Sequence, residues 1–154
     1  MPLRERAAEE EEPYRSGFVA LVGRPNVGKS TLMNRLLGEK VAIVSPRPGT
    51  TRFEVRGVKH LPHGQLIFLD TPGLKKPDSA LGRHMMEYIR GAAHGADLIL
   101  FMTDLPRARD EEDRRALGYL GEVKAPVFLL INKVDLAPKE AVLPMIERYG
   151  EYYP

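Results

Sequence analysis

The chain of 154 residues has no cysteine, one glutamine (Gln65) and three asparagines (Asn26, Asn34 and Asn132). Without cysteine there is no disulfide framework and no thiolate metal site, and a reducing compartment is permitted. No apolar run approaches the roughly 18 residues of a membrane-spanning helix, and the first residues carry charge where a secretory leader would be apolar. The chain therefore reads as cytosolic. It also lacks an excess of either charge: 23 Lys and Arg against 21 Asp and Glu leave +2, too little to mark a nucleic-acid surface by charge alone. Scarce amides beside 29% charged residues raise the expectation of a thermophilic source. With 43% hydrophobic residues, there is material for one domain with a sizeable core.

Residues 1–16 are polar, with four consecutive Glu before Pro13, and read as a flexible acidic tail; the domain proper is expected over 17–154. GFVALVG is a short apolar run closed by glycines, the pattern of a strand covered on both faces. KSTLMNRLLG has leucines at helical spacing and ends at Gly38, a C-cap candidate. After the Pro-rich SPRPGTTR come FEVRGVKHL and QLIFLD, an antiparallel hairpin with a loop of about three residues at PHG. TPGLKKPDSALG reads as loop and HMMEYIRGAAHGA as helix. DLILFMTDL and PVFLLINK are buried strands, and DEEDRRALGYLGEV is a helix with acids at its positive end. PKEAVLPMIERYGEYY is a last helix, bent or restarted at Pro144. Strands alternating with helices predict an α/β three-layer sandwich of the P-loop NTPase type: a mostly parallel sheet with one antiparallel hairpin strand and helices on both faces.

GRPNVGKS fits G-x-x-x-x-G-K-[ST] between a strand and a helix, the context in which that pattern holds polyphosphate. Backbone N–H groups at a helix N-terminus suit anions. Gly23, Arg24, Pro25, Asn26, Val27, Gly28, Lys29, Ser30 and Thr31 form this candidate nucleotide-binding loop. Lys29 supplies charge to the β and γ phosphates, and the Ser30 hydroxyl is placed for Mg²⁺. DTPG (Asp70, Thr71, Pro72, Gly73) follows a strand reaching the same end of the sheet; Asp70 offers a carboxylate near the metal and Gly73 an N–H for a γ-phosphate. In NKVD, the Asp135 carboxylate can accept from N1–H and the exocyclic amine of guanine, which adenine cannot match. Asn132 can tie the loops around the base, and the Lys133 stem can cover its face. D-x-x-G and N-K-x-D are each ordinary turns in isolation. In this order after a phosphate loop, they point to GTP and GDP.

These segments, with Thr50-Thr51-Arg52, resemble the signature set of translation-factor-type GTPases, from Gly17 to Asp135. GRPNVGKSTLMNRLLGEKVAIVS followed by PGTTR is similar to the Era group within that set. Der and MnmE, from the same group, usually carry Asp where this chain has Phe53. The resemblance implies a GTP-hydrolysing switch acting in small ribosomal subunit assembly and rRNA maturation. It implies that Thr51 closes over Mg²⁺ and γ-phosphate, with Thr50 beside it, and that a second switch runs from Asp70 through KKPDSALG. It also implies a cytoplasmic protein with peripheral contact at the inner face of the membrane. A Der-, MnmE- or FeoB-like regulatory module with little turnover is the alternative.

Two departures qualify the likeness. Family members add a further guanine-binding segment after one more strand, and then an RNA-binding KH domain; neither is in this sequence, so a piece of a longer protein is expected. In small signalling GTPases, a Gln just after D-x-x-G orients the attacking water. Here that position is Leu74, and Gln65 is too far back in its strand to substitute. The resemblance assigns catalysis to Lys29, Thr51 and Asn26, with the Asn26 amide holding K⁺ where an arginine finger would sit. Magnesium would take Ser30, Thr51 and Asp70. His60, His63, His84 and His94 lack metal spacing, Asp110 to Arg115 read as a solvated helix start, and Met85 and Met86 read as packing.

Overall fold

The computed structural model describes residues 13–39, 55–74, 78–107 and 110–153. Five strands, β1 (Arg15–Gly23), β2 (Val55–Leu61), β3 (Gly64–Asp70), β4 (Leu98–Asp104) and β5 (Val127–Asn132), form one sheet in the order β2-β3-β1-β4-β5. Among the described residues only the β2–β3 pair is antiparallel; β1 runs parallel to β3 and β4, and β4 to β5. Four α-helices accompany them among the described residues: α1 (Lys29–Leu37), α2 (Ala80–Gly95), α3 (Asp110–Leu120) and α4 (Val142–Tyr152).

The alternation of β1 divides the core. Val19 and Leu21 pack with Met33 of α1 and Phe68, whereas Ala20 and Val22 pack with Ile89 of α2, Leu117 and Leu120 of α3, and Tyr149 of α4. A period of two along a strand sends alternate side chains to opposite faces, which makes three layers of one sheet.

Several boundaries differ from those expected. β1 starts at Arg15, within the segment expected to be tail, because Arg15 and Ser16 pair with Gly64 and Gln65. The hairpin turns on Pro62 and His63 alone, since Leu61 already pairs with Gly64. Helix α2 begins four residues before His84: the Ser79 hydroxyl accepts from Gly82 N–H at 3.0 Å, an N-cap that satisfies one of the free donors of the first turn. The last helix is split: a 3-10 turn at Lys139–Ala141 precedes α4, in which Pro144 is the third residue, where the missing N–H would have had no partner within the helix. Gly38 does close α1 in the left-handed conformation. Among the described residues β5 is an edge strand, with Phe128 exposed.

Candidate functional site

The strand registers bring the motifs together. Leu21 lies opposite Asp70, Gly23 opposite Met102, and Asp104 opposite Asn132. The phosphate loop, DTPG and NKVD therefore all leave the carboxyl ends of adjacent strands, where open α/β sheets bind ligands.

The loop between β1 and α1 is held in conformations that few sequences tolerate. Gly28 has φ 111°, and a Cβ there would stand 2.4 Å from the Asn132 amide nitrogen, so glycine is required on both counts. Asn26 has φ 63°, a left-handed geometry that asparagine accepts more readily than most residues. The Lys29 ammonium donates to the carbonyls of Gly23 at 3.0 Å and Arg24 at 2.9 Å. Ser30 opens onto Asp70, its hydroxyl donating to the buried carboxylate at 2.5 Å. A hydroxyl and a carboxylate meeting at a helix N-terminus are the hard oxygen donors that magnesium takes through one or two protein ligands, so this pair fits that ion.

DTPG packs directly on the loop. Leu74 N–H donates to the Gly23 carbonyl at 2.9 Å, and a Cβ on Gly73 would come within 2.7 Å of Pro25. NKVD grips it from the other side: the Asn132 side-chain amide donates to Val27 O at 2.8 Å, and the Lys133 ammonium to Asn26 O at 2.6 Å. Lys133 also reaches Asp104 Oδ2 at 2.9 Å. Asp135 stands exposed in the short turn Val134–Leu136.

Not every residue named from the sequence turns its side chain to this mouth. Val27 is buried, the Thr71 hydroxyl donates to Leu21 O at 2.6 Å, and Thr31 is exposed on α1. Arg24 turns inward, with Nε donating to Asp113 at 2.6 Å and Nη2 to Asp104 at 3.1 Å. Asp113 corrects the reading of residues 110–115 as solvated, because it is fully buried. The signal was its position: Asp113, Ala116, Leu117 and Leu120 share one helical stripe. Thr50 and Thr51 lie outside the described residues. Leu74 is buried in the core, as befits an apolar residue at that position, and among the described residues no histidine joins a metal-binding cluster.

Burial pulls the Lys29 pKa down to about 8; Asp70 pulls it back up and the Arg24 charge adds to the fall. Phosphate oxygens favour the ammonium, so nucleotide binding raises this pKa. Affinity is then full below about pH 8 and declines as pH rises above it. Calorimetry of GDP binding in buffers of different ionisation enthalpy should register uptake of nearly one proton at about pH 9 and almost none near neutrality. Equal uptake at both would contradict this role for Lys29.

Residues 18–133 match the family described as 50S ribosome-binding GTPase. GTPase Era of Geobacter metallireducens is 46% identical over 144 residues, covering 94% of this chain and 48% of that protein. GTPase Era of Caldanaerobacter subterraneus is 48% identical over 140 residues, covering 91% and 47%. Among solved structures, Era in complex with MgGDPNP and nucleotides 1506–1542 of 16S ribosomal RNA superposes with a TM-score of 0.80 at 46% identity, over 92% of this chain and 48% of that one. Aquifex aeolicus Era bound to GDP·AlF4⁻ gives 0.82 at 44%, over 91% and 48%. The chain spans about half the length of the relatives it matches.

Proposed function

We propose, from the premise that this chain belongs to the family of 50S ribosome-binding GTPases, that it is the GTP-binding and GTP-hydrolysing part of a switch protein acting on ribosomal RNA in small-subunit assembly. The observation that carries the reading is the pair of contacts from Asn132 and Lys133 to the carbonyls of Val27 and Asn26. They join the segment suited to guanine directly to the loop suited to phosphate. Similarity to an Era bound to 16S rRNA supports the RNA side. The place of action is the cytoplasm, with peripheral contact at the inner membrane face.

Hydrolysis falls to positioning and charge. Phosphoryl transfer requires little covalent help from the protein, so fixed cations and aligned donors supply most of the rate. Lys29 holds the β and γ phosphates. Ser30 and Asp70, with Thr51, hold Mg²⁺, which when bound neutralises charge on the phosphate oxygens. Leu74 offers no hydrogen bond to water, so the extra cation is assigned to K⁺ at the Asn26 amide oxygen, a hard donor.

GTP turnover by the full protein, measured in matched K⁺ and Na⁺ buffers together with GDP and ADP binding, tests this. GDP is expected to bind and ADP not, with faster turnover in K⁺, and Asn26→Ala is expected to erase the salt difference while leaving GDP affinity largely intact. Equal affinity for the two diphosphates would overturn the guanine reading; equal rates in both salts for the wild type would remove the cation.

A further inference from the structure

Below the phosphate loop lies a buried polar cluster for which the proposed chemistry has no use. Asp113 Oδ1 accepts from Arg24 Nε at 2.6 Å, and its Oδ2 accepts from the Thr103 hydroxyl at 2.7 Å and from the Tyr149 hydroxyl. Asp104 Oδ1 accepts from Arg24 Nη2 at 3.1 Å and its Oδ2 from Lys133 at 2.9 Å. Two carboxylates thus face two cations, and Arg24, Thr103, Asp104, Asp113 and Tyr149 are all buried. Each cation ends on the same loop: Arg24 is part of it, and Lys133 donates to Asn26 O.

We infer that Asp113 is a positioning residue for the phosphate-binding loop, acting through Arg24, and that Tyr149 makes this setting depend on α4. The inference rests on the nucleotide reading of the site. A buried ion pair adds little stability over apolar groups of similar volume, because desolvation of the two charges offsets their attraction. Geometry is what this cluster adds. The Arg24 carbonyl and its neighbour, that of Gly23, receive the Lys29 ammonium, and Gly23 O also receives Leu74 N–H from the DTPG segment. With the Arg24 guanidinium fixed by two acids, neither carbonyl can turn freely. Asp104 and Asp113 therefore hold the loop from beneath at residues 24 and 26, before any phosphate arrives. Burial works against the charge on Arg24, but Asp113 and Asp104 outweigh it and hold its pKa above the ordinary value, so the clamp persists at every working pH. On the far side, Tyr149 is a residue of α4, and burial followed by its bond to Asp113 raises its pKa, so its hydroxyl stays a donor.

Stability and positioning separate in the double variant Arg24→Met/Asp113→Leu, compared with wild type by thermal unfolding and GDP titration. Replacing both charges together is expected to cost less stability than replacing either alone, since neither charge of the pair is left unpaired, while GDP affinity falls by about tenfold, the equivalent of one lost hydrogen bond between charged groups. Tyr149→Phe is the second arm, because it leaves every Arg24 contact in place; it is expected to lower affinity by about threefold, as for one neutral hydrogen bond. Wild-type GDP affinity in whichever of the two variants remains folded would overturn the inference. Failure of the wild-type protein itself to bind guanine nucleotide would instead overturn the reading of the site.

Discussion

Asp135→Asn is expected to cost GDP about a thousandfold in affinity and to make xanthosine diphosphate the preferred ligand, since two hydrogen bonds to a charged acceptor are each worth about 1.5–3 kcal/mol. On the guanine reading, the wild-type carboxylate would accept from two guanine donors at once. An amide can accept one of them, and it turns its NH₂ toward the other, donor against donor. Xanthine carries a carbonyl at C2 in place of the amine, so the same amide finds one donor and one acceptor. The structure favours a clean result. Asp135 is exposed, whereas the contacts that brace the loop belong to Asn132 and Lys133. The substitution therefore leaves the phosphate site intact. Competition between GDP and xanthosine diphosphate for a fluorescent nucleotide would measure it, and a variant that still prefers GDP would show that the base is read elsewhere.

Different parts of this architecture were legible in the sequence to different degrees, for reasons that trace to particular residues. The phosphate loop could be read because its glycines, its Lys-Ser end and its strand–helix context are all local. The β2–β3 hairpin could be read from alternation, which a two-residue turn does not disturb. Helix starts were harder. Ser79 caps α2 ahead of Leu81 and Gly82, a stretch with too little apolar rhythm to announce a helix. Pro144 suggests a break only until the start of α4 is known, because its place in the first turn removes the conflict. The clamp beneath the loop was invisible for a different reason. Proximity in sequence groups Arg24 with the nucleotide ligands, and Asp113 sits in a run of charges that reads as solvated. Their pairing spans 89 positions in the chain and appears only when α3 is laid against the carboxyl end of β4. Tertiary partners of buried charges leave no periodic trace beyond one acidic residue on an otherwise apolar stripe.

Replacing Lys29 is expected to move stability and function in opposite directions. Its pKa falls from 10.5 to about 8 on burial, so holding the ammonium inside the ligand-free fold costs about 3 kcal/mol at roughly 1.4 kcal/mol per unit. Because the folded value is the lower one, this cost is present in full below about pH 8, shrinks as pH rises, and is gone by about 10.5, where the lysine is neutral in both states. Lys29→Met keeps the apolar stem and removes the charge. It withdraws the ammonium from two carbonyls, of which Gly23 O retains Leu74 N–H, so the net gain near neutrality should be about 1–2 kcal/mol after the lost hydrogen bonds are counted. The ligand-free protein should then melt a few degrees higher, with the difference fading toward about pH 10. Nucleotide binding should collapse at the same time: Lys29 is the one lysine of the loop itself, Gly23–Thr31, Lys133 is held by Asn26 O and Asp104, and loss of one preorganised charge at transferring phosphates slows turnover by about a hundredfold or more. Thermal unfolding without nucleotide, followed by GDP titration and single-turnover hydrolysis, would resolve the two effects. A variant that melts lower yet still binds and hydrolyses GTP would make Lys29 a structural strut for the carbonyls of Gly23 and Arg24 rather than the residue that receives the phosphates.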